Sequence, residues 1–394
     1  MSSNSRLILP ILIPAASLGL LASSIYVPSI PDIARELAVP VGLVQLTMTV
    51  FLMSYGIAML VIGPLSDRFG RRHVMLAGIL LCIAASLVCA AAPDIVTLII
   101  GRACQAFGGC AGVVIARAMV RDMFDREQVA RAMAILAAAV TIVPIVGPVL
   151  GGYVHVWLGW RANFVIVALG GVILFVIVAR RMPETNFNLQ NQATLFRGLV
   201  SSFVTLLRVR RFLAYALVTG CGGAAYYAFA AAAPVVFIER FHVSPDLYGI
   251  YAASASGGFM FGSIASSRFS VRLGADWFIR LGGWVQIGAG GAMIGLAAAG
   301  YGTPWAVVPP IFFMGVANGL YMPNAFAGGV SIRPHLAGAG AGLAGFVQMF
   351  GAGLATAAMA WSALETAIPM GLVIGGAGLL ITIAFRILVR GPVS

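Results

Sequence analysis

Residues 63–72 read Gly-Pro-Leu-Ser-Asp-Arg-Phe-Gly-Arg-Arg, and long apolar runs lie on both sides of this stretch. One run ends where the stretch begins, and a second begins at Val74. About 20 predominantly apolar residues are enough for an α-helix to cross the hydrocarbon core of a bilayer. The stretch is therefore predicted to be a short, basic, glycine-hinged connection between two membrane-spanning helices.

The composition of the chain indicates that most of its surface faces lipid. The 394 residues are 61% hydrophobic and 9% charged, with a mean hydropathy of +1.00, whereas about 25% of the residues of a soluble domain are charged. We number the apolar stretches that are long enough to span a membrane as spans 1 to 12, and they cover residues 7–29, 41–65, 74–93, 95–116, 132–157, 161–179, 212–238, 247–267, 277–299, 304–326, 337–361 and 368–389. They predict an all-α membrane protein with twelve transmembrane helices.

The arginine residues predict the orientation of the chain. All 24 basic residues are arginine, and a net charge of +12 would also suit a nucleic-acid-binding protein. Only Arg35, Arg161 and Arg240 lie on odd-numbered connections, and Arg102 lies inside span 4; the others lie at the even-numbered connections or the termini. Short cytoplasmic loops of membrane proteins carry this excess of basic residues. We therefore expect cytoplasmic N- and C-termini, contact with membrane lipid and no nucleic-acid partner.

The longest polar interruption divides the chain into two halves. It runs from Arg180 to Arg211, with six predicted spans before it and six after it. We expect an N-terminal six-helix bundle at 1–181, a cytoplasmic linker at 182–211 and a C-terminal six-helix bundle at 212–394. The halves are weakly alike, because spans 1 and 7 carry a proline near the outer end and spans 5 and 11 are rich in glycine. Pseudo-symmetric bundles of this kind place a binding site between them at the membrane midplane.

The connection at 63–72 resembles the signature loop between helices 2 and 3 of the major facilitator superfamily of transporters. The matching residues are Gly63, Asp67, Arg68, Gly70, Arg71 and Arg72. A generic positive-inside loop is the alternative, but the spacing of these residues is more specific than that. The resemblance implies a charged latch that joins the halves on the cytoplasmic side. Its partners are then Arg121 and Asp122, at the end of span 4.

A charged residue lies within span 4. A charge in the middle of a bilayer costs at least ~2.5–3.5 kcal/mol on insertion scales, so Arg102 is expected to have a function or a partner. The pattern of Arg102, Gln105 and Gly108 resembles the helix 4 motif of the drug-efflux branch of the superfamily. That resemblance links the arginine to proton coupling or to substrate. The alternative is a structural arginine that is capped by carbonyl groups.

Span 5 contains the sequence Val146-Gly-Pro-Val-Leu-Gly-Gly152, which resembles the antiporter motif of drug/proton exporters. This resemblance favours export over import. The glycines Gly147, Gly151 and Gly152 allow neighbouring helices to pack closely, and Pro148 is expected to bend the helix. Ordinary packing of small residues is the alternative interpretation.

Four further motifs narrow the resemblance to the bicyclomycin/chloramphenicol resistance family of efflux proteins, over essentially the whole chain. They are Tyr26-Val-Pro-Ser-Ile-Pro31, Arg121-Asp122, Trp160-Arg161 and Pro183-Glu-Thr185. The resemblance implies a monomeric transporter of the bacterial inner membrane. Such a transporter exports a small molecule by alternating access in exchange for protons, with the proton gradient as energy source and no cofactor.

One position departs from this family. A carboxylate usually stands two residues before the tyrosine of helix 1, and Ser24 occupies that position here. None of the acidic residues falls clearly in the middle of a span. The predicted cavity therefore holds a fixed positive charge and no fixed negative one, which disfavours purely cationic substrates. Coupling would run through Asp32, Asp122 or Glu239, or through a proton carried on the substrate.

Polar and aromatic residues of the spans are the candidate substrate-binding residues. They are Ser24, Tyr26, Tyr55, Arg102, Gln105, Tyr226, Tyr227, Asn318, Tyr321 and Gln348. The adjacent tyrosines of span 7 would stack on a flat ligand or serve as packing aromatics. The five cysteines lie in apolar spans without the spacing of metal ligands, so we expect no metal site.

Export of a drug or toxic compound is the leading functional prediction. The second is a dedicated exporter of an endogenous anionic or zwitterionic metabolite, such as a siderophore, which the serine at position 24 favours. The third is a membrane-embedded enzyme or sensor, but no span contains a nucleophile–base pair, a metal-ligand cluster or a phosphate-binding loop. We therefore expect a transporter and not an enzyme.

Overall fold

Long α-helices account for the fold. The computed structural model describes residues 3–186, 201–333, 336–362 and 366–389. Over these residues the elements are α1 Ser3–Ser24, α2 Ile30–Glu36, α3 Val41–Phe69, α4 Arg71–Ala90, α5 Ile95–Met123, α6 Arg126–Leu158, α7 Trp160–Arg181, α8 at 201–207, α9 Arg210–Pro234, α10 Pro245–Leu273, α11 Ala275–Ala298, α12 Pro304–Ser331, α13 Ala337–Ala360 and α14 Ile368–Leu388. A 3₁₀ turn at Val27–Ser29 joins α1 to α2, and a π-helical turn at Val235–Arg240 extends α9. Most of the predicted linker, including residues 187–200, lies outside the described residues.

The predicted all-α membrane architecture is confirmed. Each predicted span coincides with a long helix or, for span 1, with α1 and the short helical segments after it. Among the described residues, eleven helical segments are long and apolar enough to cross a membrane. The remaining span, α10, has 29 residues, but its many serines and glycines give it a weaker apolar character than its neighbours have.

Several helices extend further than the hydropathy of the sequence predicts. Helix α3 continues to Phe69, α5 to Met123, α10 to Leu273 and α12 to Ser331, and α6 begins at Arg126. All of these extensions lie at the end of the molecule that carries the loop at 63–72, which we call the arginine-rich end. Except in α12, the added residues include arginine, which ends an apolar run but is a good helix former, so these helices continue past the apolar stretch.

The two halves repeat the same packing scheme. In the first half, α5 packs against α1, α3 and α4, while α4 packs against α7. In the second half, α12 packs against α9, α10 and α11, while α11 packs against α14. Each of these contacts has its counterpart six spans away. The internal similarity that is weak in the sequence is therefore clear in the packing.

The halves touch each other mainly through two helix pairs, α3 with α13 and α6 with α10. Polar contacts between them lie near the start of α3, at the end of the molecule opposite the arginine-rich end. Nε2 of Gln45 donates a hydrogen bond to the carbonyl oxygen of Ala231 (2.8 Å), and the hydroxyls of Thr49 and Thr356 are 2.8 Å apart. All four residues are buried, so this end of the interface is closed.

The loop at 63–72 is held in place by Glu184, which follows α7. The carboxylate of Glu184 accepts hydrogen bonds from the backbone N–H groups of Arg71 (2.9 Å) and Arg72 (3.0 Å), the first two residues of α4. These N–H groups have no partner inside their own helix, and the helix dipole favours an anion there. Gly70 has φ +89°, and a side chain at this position would also collide with the Glu184 carboxylate.

The surroundings of Glu184 lower the pKa of its carboxyl group. Partial burial alone would raise the pKa of this carboxyl group, but hydrogen bonds from the backbone N–H groups of Asn186, Arg71, Arg72 and Thr185 outweigh the burial. The net effect is a pKa below the ordinary value of 4.5. The ionised form is therefore bound more strongly by the folded protein than by the unfolded chain.

Glu184→Gln should lower the free energy of unfolding at pH 7 by about 1 kcal/mol, the usual effect of losing a helix cap. A carboxyl group whose pKa is depressed by folding stabilises the fold above its unfolded pKa. That stabilisation disappears as the pH falls through the folded pKa. The difference between Glu184→Gln and wild type should therefore be present at pH 7 and shrink as the pH falls below 4.5.

The measurement is the thermal unfolding midpoint of the purified protein in detergent at several pH values. Asp125→Asn is the matched control, because this exposed carboxylate precedes α6 without capping it. A difference between Glu184→Gln and wild type that is the same at every pH would contradict the assigned role.

Candidate functional site

A large cavity separates the halves at the arginine-rich end. It has a volume of about 700 Å³ and is lined by α3, the start of α4, α5, α6, α8, α12 and α13. Its charged and large aromatic lining residues are Asp67, Arg71, Arg117, Arg121, Phe203 and Phe326. The remaining lining is mostly apolar and small. We call this space the central cavity.

The halves are closed against each other beyond the central cavity, and glycines of the span 5 motif make this possible. A Cβ atom at Gly152 would overlap the carbonyl oxygen of Pro245 in the opposite half. Within the first half, a Cβ atom at Gly147 would overlap the Ser24 hydroxyl, and one at Gly151 would overlap the carbonyl oxygen of Ile25. The motif therefore holds α6 against both α1 and α10.

A second, much smaller pocket lies between the halves near the motif. Its volume is about 20 Å³, which is room for a single water molecule. Ser24, Pro148, Tyr226, Tyr227 and Tyr248 are among its lining residues. The structure thus brings three predicted substrate residues, Ser24 and the two tyrosines of α9, to one place. In this conformation the space between them does not admit a drug-sized molecule.

Arg102 is enclosed by the first half. Its side chain is fully buried, and its guanidinium carbon lies 4.1 Å from the ring centroids of both Tyr26 and Phe51. Nη1 donates hydrogen bonds to the carbonyl oxygen of Ala22 (2.8 Å) and to Oε1 of Gln105 (2.6 Å). Aromatic rings and helix-end carbonyls are favourable partners for a desolvated cation.

The local sequence explains this enclosure. Helix α1 ends at Ser24, so carbonyl groups of its last turn lack partners within the helix. The chain then turns at Tyr26, whose hydroxyl is 3.1 Å from that of Thr47 in α3. Nε2 of Gln105 donates a hydrogen bond to Ser86 in α4 (2.8 Å). The network therefore connects four helices of one half.

Three of the predicted cavity residues lie away from both spaces in this conformation. Arg102, Tyr26 and Gln105 are predicted as cavity residues, but they line neither the central cavity nor the small pocket. The physical reason is that the buried cation finds its partners inside its own half. The structural alternative, an arginine capped by carbonyl groups, describes its surroundings.

The other predicted cavity residues are dispersed. Tyr55 is buried beside Phe51, at a ring separation of 6.0 Å. The hydroxyl of Tyr321 donates a hydrogen bond to Oδ1 of Asn318 (2.9 Å) inside the second half. Gln348 packs against α9 at Gly223. These four side chains are also absent from the linings of the two spaces.

The predicted latch residues lie together at the arginine-rich end. Nη1 of Arg71 is 2.5 Å from Oδ1 of Asp67, and Nε is 3.1 Å from Oδ2 of Asp122. Gly63 and Asp67 line the central cavity, while Arg72 donates a hydrogen bond to the carbonyl oxygen of Ala179 (2.5 Å).

The remaining latch residues lie on either side of this cluster. Arg68 stacks on Phe69 at 4.5 Å, and Arg121 approaches Gly338 of the second half. Among the described residues, the ion pairs of Arg71 with Asp67 and Asp122 lie in the first half, and that of Arg211 with Asp276 lies in the second. A charged latch between the halves stays a prediction.

Sequence reasoning missed Arg117. The predicted span 4 ends at residue 116, so Arg117 counts there as a basic residue flanking the membrane. The helix α5 instead continues to Met123, and Arg117 faces the central cavity. Its guanidinium carbon lies 5.6 Å from the ring centroid of Phe326 in the second half. The helical face that Arg117 shares with Val114 and Arg121 is the signal that points to the cavity.

A polar cluster at the opposite end was also missed, although its residues are visible in the sequence. Asp32 of α2 forms ion pairs with His155 of α6 and with Arg35. Glu36 accepts hydrogen bonds from Nε1 of Trp160 (2.6 Å) and from Arg161. The family motif Trp160-Arg161 thus fastens α2 to α7. Over the part of the chain that the structure describes, no group of His, Cys, Asp or Glu is arranged to hold a metal ion.

A family model and several known proteins match this chain over most of its length. The sequence model of the Major Facilitator Superfamily matches residues 12–356. The chain is 31% identical to multidrug resistance protein D of Escherichia coli, over 89% of this chain and 87% of that protein. It is 30% identical to a chloramphenicol resistance protein of Pseudomonas aeruginosa, over 82% and 75% of the two chains. A bicyclomycin resistance protein homolog of Haemophilus influenzae is 27% identical over 92% and 91%.

A solved structure shares the fold. It is a bacterial homolog of the human lysosomal transporter Spinster, in an inward-facing and unoccupied conformation. The TM-score is 0.79 at 16% identity, with 100% of this chain and 99% of that chain covered. At this identity the likeness concerns the fold alone.

Arg102→Lys tests whether the buried arginine organises the first half. Lysine keeps the charge but loses the planar group between Tyr26 and Phe51, so the free energy of unfolding should fall by about 2 kcal/mol, the order of a desolvated cation–π contact. The measurement is the thermal unfolding midpoint in detergent. Arg268→Lys, at an exposed arginine of α10, is the control. An unchanged midpoint together with lost substrate binding would contradict this structural role and support the predicted role of Arg102 as a cavity residue.

Proposed function

The chain belongs to the major facilitator superfamily, a family of transporters and not enzymes, and from that premise we propose that it exports a drug or toxic small molecule across the bacterial inner membrane in exchange for protons. The proposal includes alternating access of one binding site to the two sides of the membrane. The central cavity is the observation that carries it.

The size and position of the central cavity suit a transported small molecule. Pockets for drug-sized ligands usually measure about 300–1,000 Å³, and the cavity volume of about 700 Å³ falls in that range. The cavity lies between two halves that share a packing scheme and is closed at the opposite end. A rocking motion of one half against the other would close the arginine-rich end and open the other.

The distribution of arginine supports binding of the substrate from the cytoplasmic side. Basic residues concentrate at the arginine-rich end, and such an excess is typical of the cytoplasmic side. With that orientation the cavity opens to the cytoplasm and both chain termini are cytoplasmic. The span 5 glycine motif and the names of the resistance proteins similar to this chain favour export. We further propose that the protein works as a monomer surrounded by lipid.

The proton-coupled group differs from that of the resembled family. Ser24 packs against Gly147 of α6, so no carboxylate is available at this position. Of the three acids that the sequence offers, Asp32 is distinguished by its contact with the imidazole of His155 in α6. Asp122 is held by Arg71. We propose that protons pass through one of the acidic residues near the helix ends or are carried on the substrate.

Transport in inverted membrane vesicles tests the proposed function. Their outer surface is the cytoplasmic face, so export appears as uptake into the lumen. Energised vesicles that contain the protein should accumulate chloramphenicol or another compound of a test panel. Collapse of the proton gradient by a protonophore should abolish the accumulation, whereas vesicles without the protein should show none.

The ionophores nigericin and valinomycin separate the pH gradient from the membrane potential. Accumulation that survives the protonophore would contradict proton exchange. Loss of compound from preloaded vesicles into the medium, dependent on the protein and on the gradient, would contradict export.

A further inference from the structure

Two arginines of the central cavity have no carboxylate partner among the residues that the structure describes. Arg117 and Arg121 both line the cavity. The ion pairs found there join Arg71 to Asp67 and to Asp122. Over the residues that the structure describes, no carboxylate oxygen lies within 4 Å of either Arg117 or Arg121. Asp67 and Asp122, the acids of this cluster, are thus already engaged by a third arginine.

The lining of the cavity consequently carries an excess of positive charge. Asp67 is the acidic residue among the described lining residues, and it faces three arginines there. Charges of one sign in a cleft with low-dielectric walls raise the local concentration of ligands of the opposite sign. A cationic ligand would meet repulsion in the same place.

Arg117 is positioned to contact a ligand directly. It is half-buried and lies one helical turn deeper along α5 than Arg121. Its guanidinium group has no hydrogen-bond partner among the described residues and is framed by Phe326. A guanidinium group presents five N–H donors in a fixed fork, which match the two oxygens of a carboxylate. Apolar side chains around it, including Met59, Leu60 and Val114, would receive an apolar body.

We propose that the central cavity selects organic anions, in which a carboxylate or a similar acidic group is attached to an aromatic or other apolar body, and that Arg117 determines this selectivity. The inference rests on the proposed function, because it names the class of substrate for the same site. Arg117 binds the acidic group, Arg121 adds to the attraction near the entrance, and the apolar lining holds the remainder of the molecule.

Three probes of equal shape test the proposal by equilibrium dialysis against the purified full-length protein in neutral detergent. They are 2-naphthoate, 2-naphthamide and 2-naphthylmethylammonium, which are anionic, uncharged and cationic. Wild type should bind the naphthoate about tenfold more tightly than the amide, as expected for a hydrogen bond to a charged group. The cation should bind most weakly. Added salt should weaken the binding of the naphthoate and leave that of the amide unchanged.

Substitution at Arg117 should remove the preference without removing the cavity. Arg117→Gln should bind the naphthoate no more tightly than the amide, while its affinity for the amide stays at the wild-type value. Arg117→Lys keeps the charge but loses the fork, so part of the preference should remain. Arg268→Gln, at an exposed arginine outside the cavity, should behave like wild type.

Several results would overturn the proposal. Equal affinity of wild type for the naphthoate and the amide would do so, as would the absence of naphthoate binding. An undiminished preference in Arg117→Gln would exclude this residue as its source. If an anionic phospholipid shows binding that depends on Arg117 and the naphthoate does not, the site recognises a lipid headgroup instead.

The same experiments separate this inference from the proposed function. Uptake of chloramphenicol that depends on the proton gradient, without a preference for the naphthoate, would overturn the anion selectivity and leave the export function standing. A preference for the naphthoate that depends on Arg117, without gradient-dependent transport of any compound, would support the binding site and contradict the proton-driven exporter.

Discussion

The close contact between the halves at the opposite end is the constraint on which the rest of the structure depends. At Gly152 the backbone of α6 approaches that of α10 so closely that no side chain fits between them. The buried polar contacts of Gln45 and Thr49 close the same end through α3. Because the halves are fastened there, the space between them opens towards the arginine-rich end, and this gives the central cavity its position.

The distribution of charge follows from the scarcity of hydrogen-bond partners in lipid. A buried polar group must find its partners inside the protein. The first half provides Arg102 with aromatic rings and, for Nη1, with a helix-end carbonyl and Gln105, whereas Nε and Nη2 have no hydrogen-bond partner among the described residues. Arg71 is satisfied by two carboxylates near the surface. Arg117 differs from both, because it lies at the cavity between the halves and, over the described part of the chain, has no carboxylate beside it. Three arginines of one half therefore serve three purposes: internal structure, organisation of the loop and, as we propose, recognition of the substrate.

Much of the fold was predictable, because a membrane span can be recognised from the apolar composition of one continuous stretch of sequence. The apolar runs placed every span, and the spacing of Gly63, Asp67, Gly70 and Arg71 indicated the superfamily. The ends of the helices were less predictable, since hydropathy falls at the first arginine while the helix continues. Because span 4 was predicted to end at residue 116, Arg117 was counted outside the membrane-spanning helix, whereas α5 continues to Met123.

The surroundings of the candidate site residues were less predictable than the spans, because they depend on how distant helices pack. Local sequence identified Arg102 as unusual but could not show that Tyr26 and Phe51 enclose it. Nor could it show that Glu184, 112 residues after Arg72, caps α4. The span 5 glycines were predicted to permit close packing, but only the structure shows that Gly152 faces the other half while Gly147 and Gly151 face α1.

The most direct test of this account is a pair of distances measured by pulsed electron spin resonance in lipid nanodiscs. Spin labels at Phe69 and Ser331 report on the arginine-rich end, and labels at Leu43 and Trp361 report on the opposite end; all four positions are exposed. The accessible native cysteines, Cys104 and Cys221, would first be replaced by alanine. Addition of a transported compound should shorten the first distance and lengthen the second. If both distances stay unchanged or change in the same direction, alternating access by rocking of the two halves is contradicted.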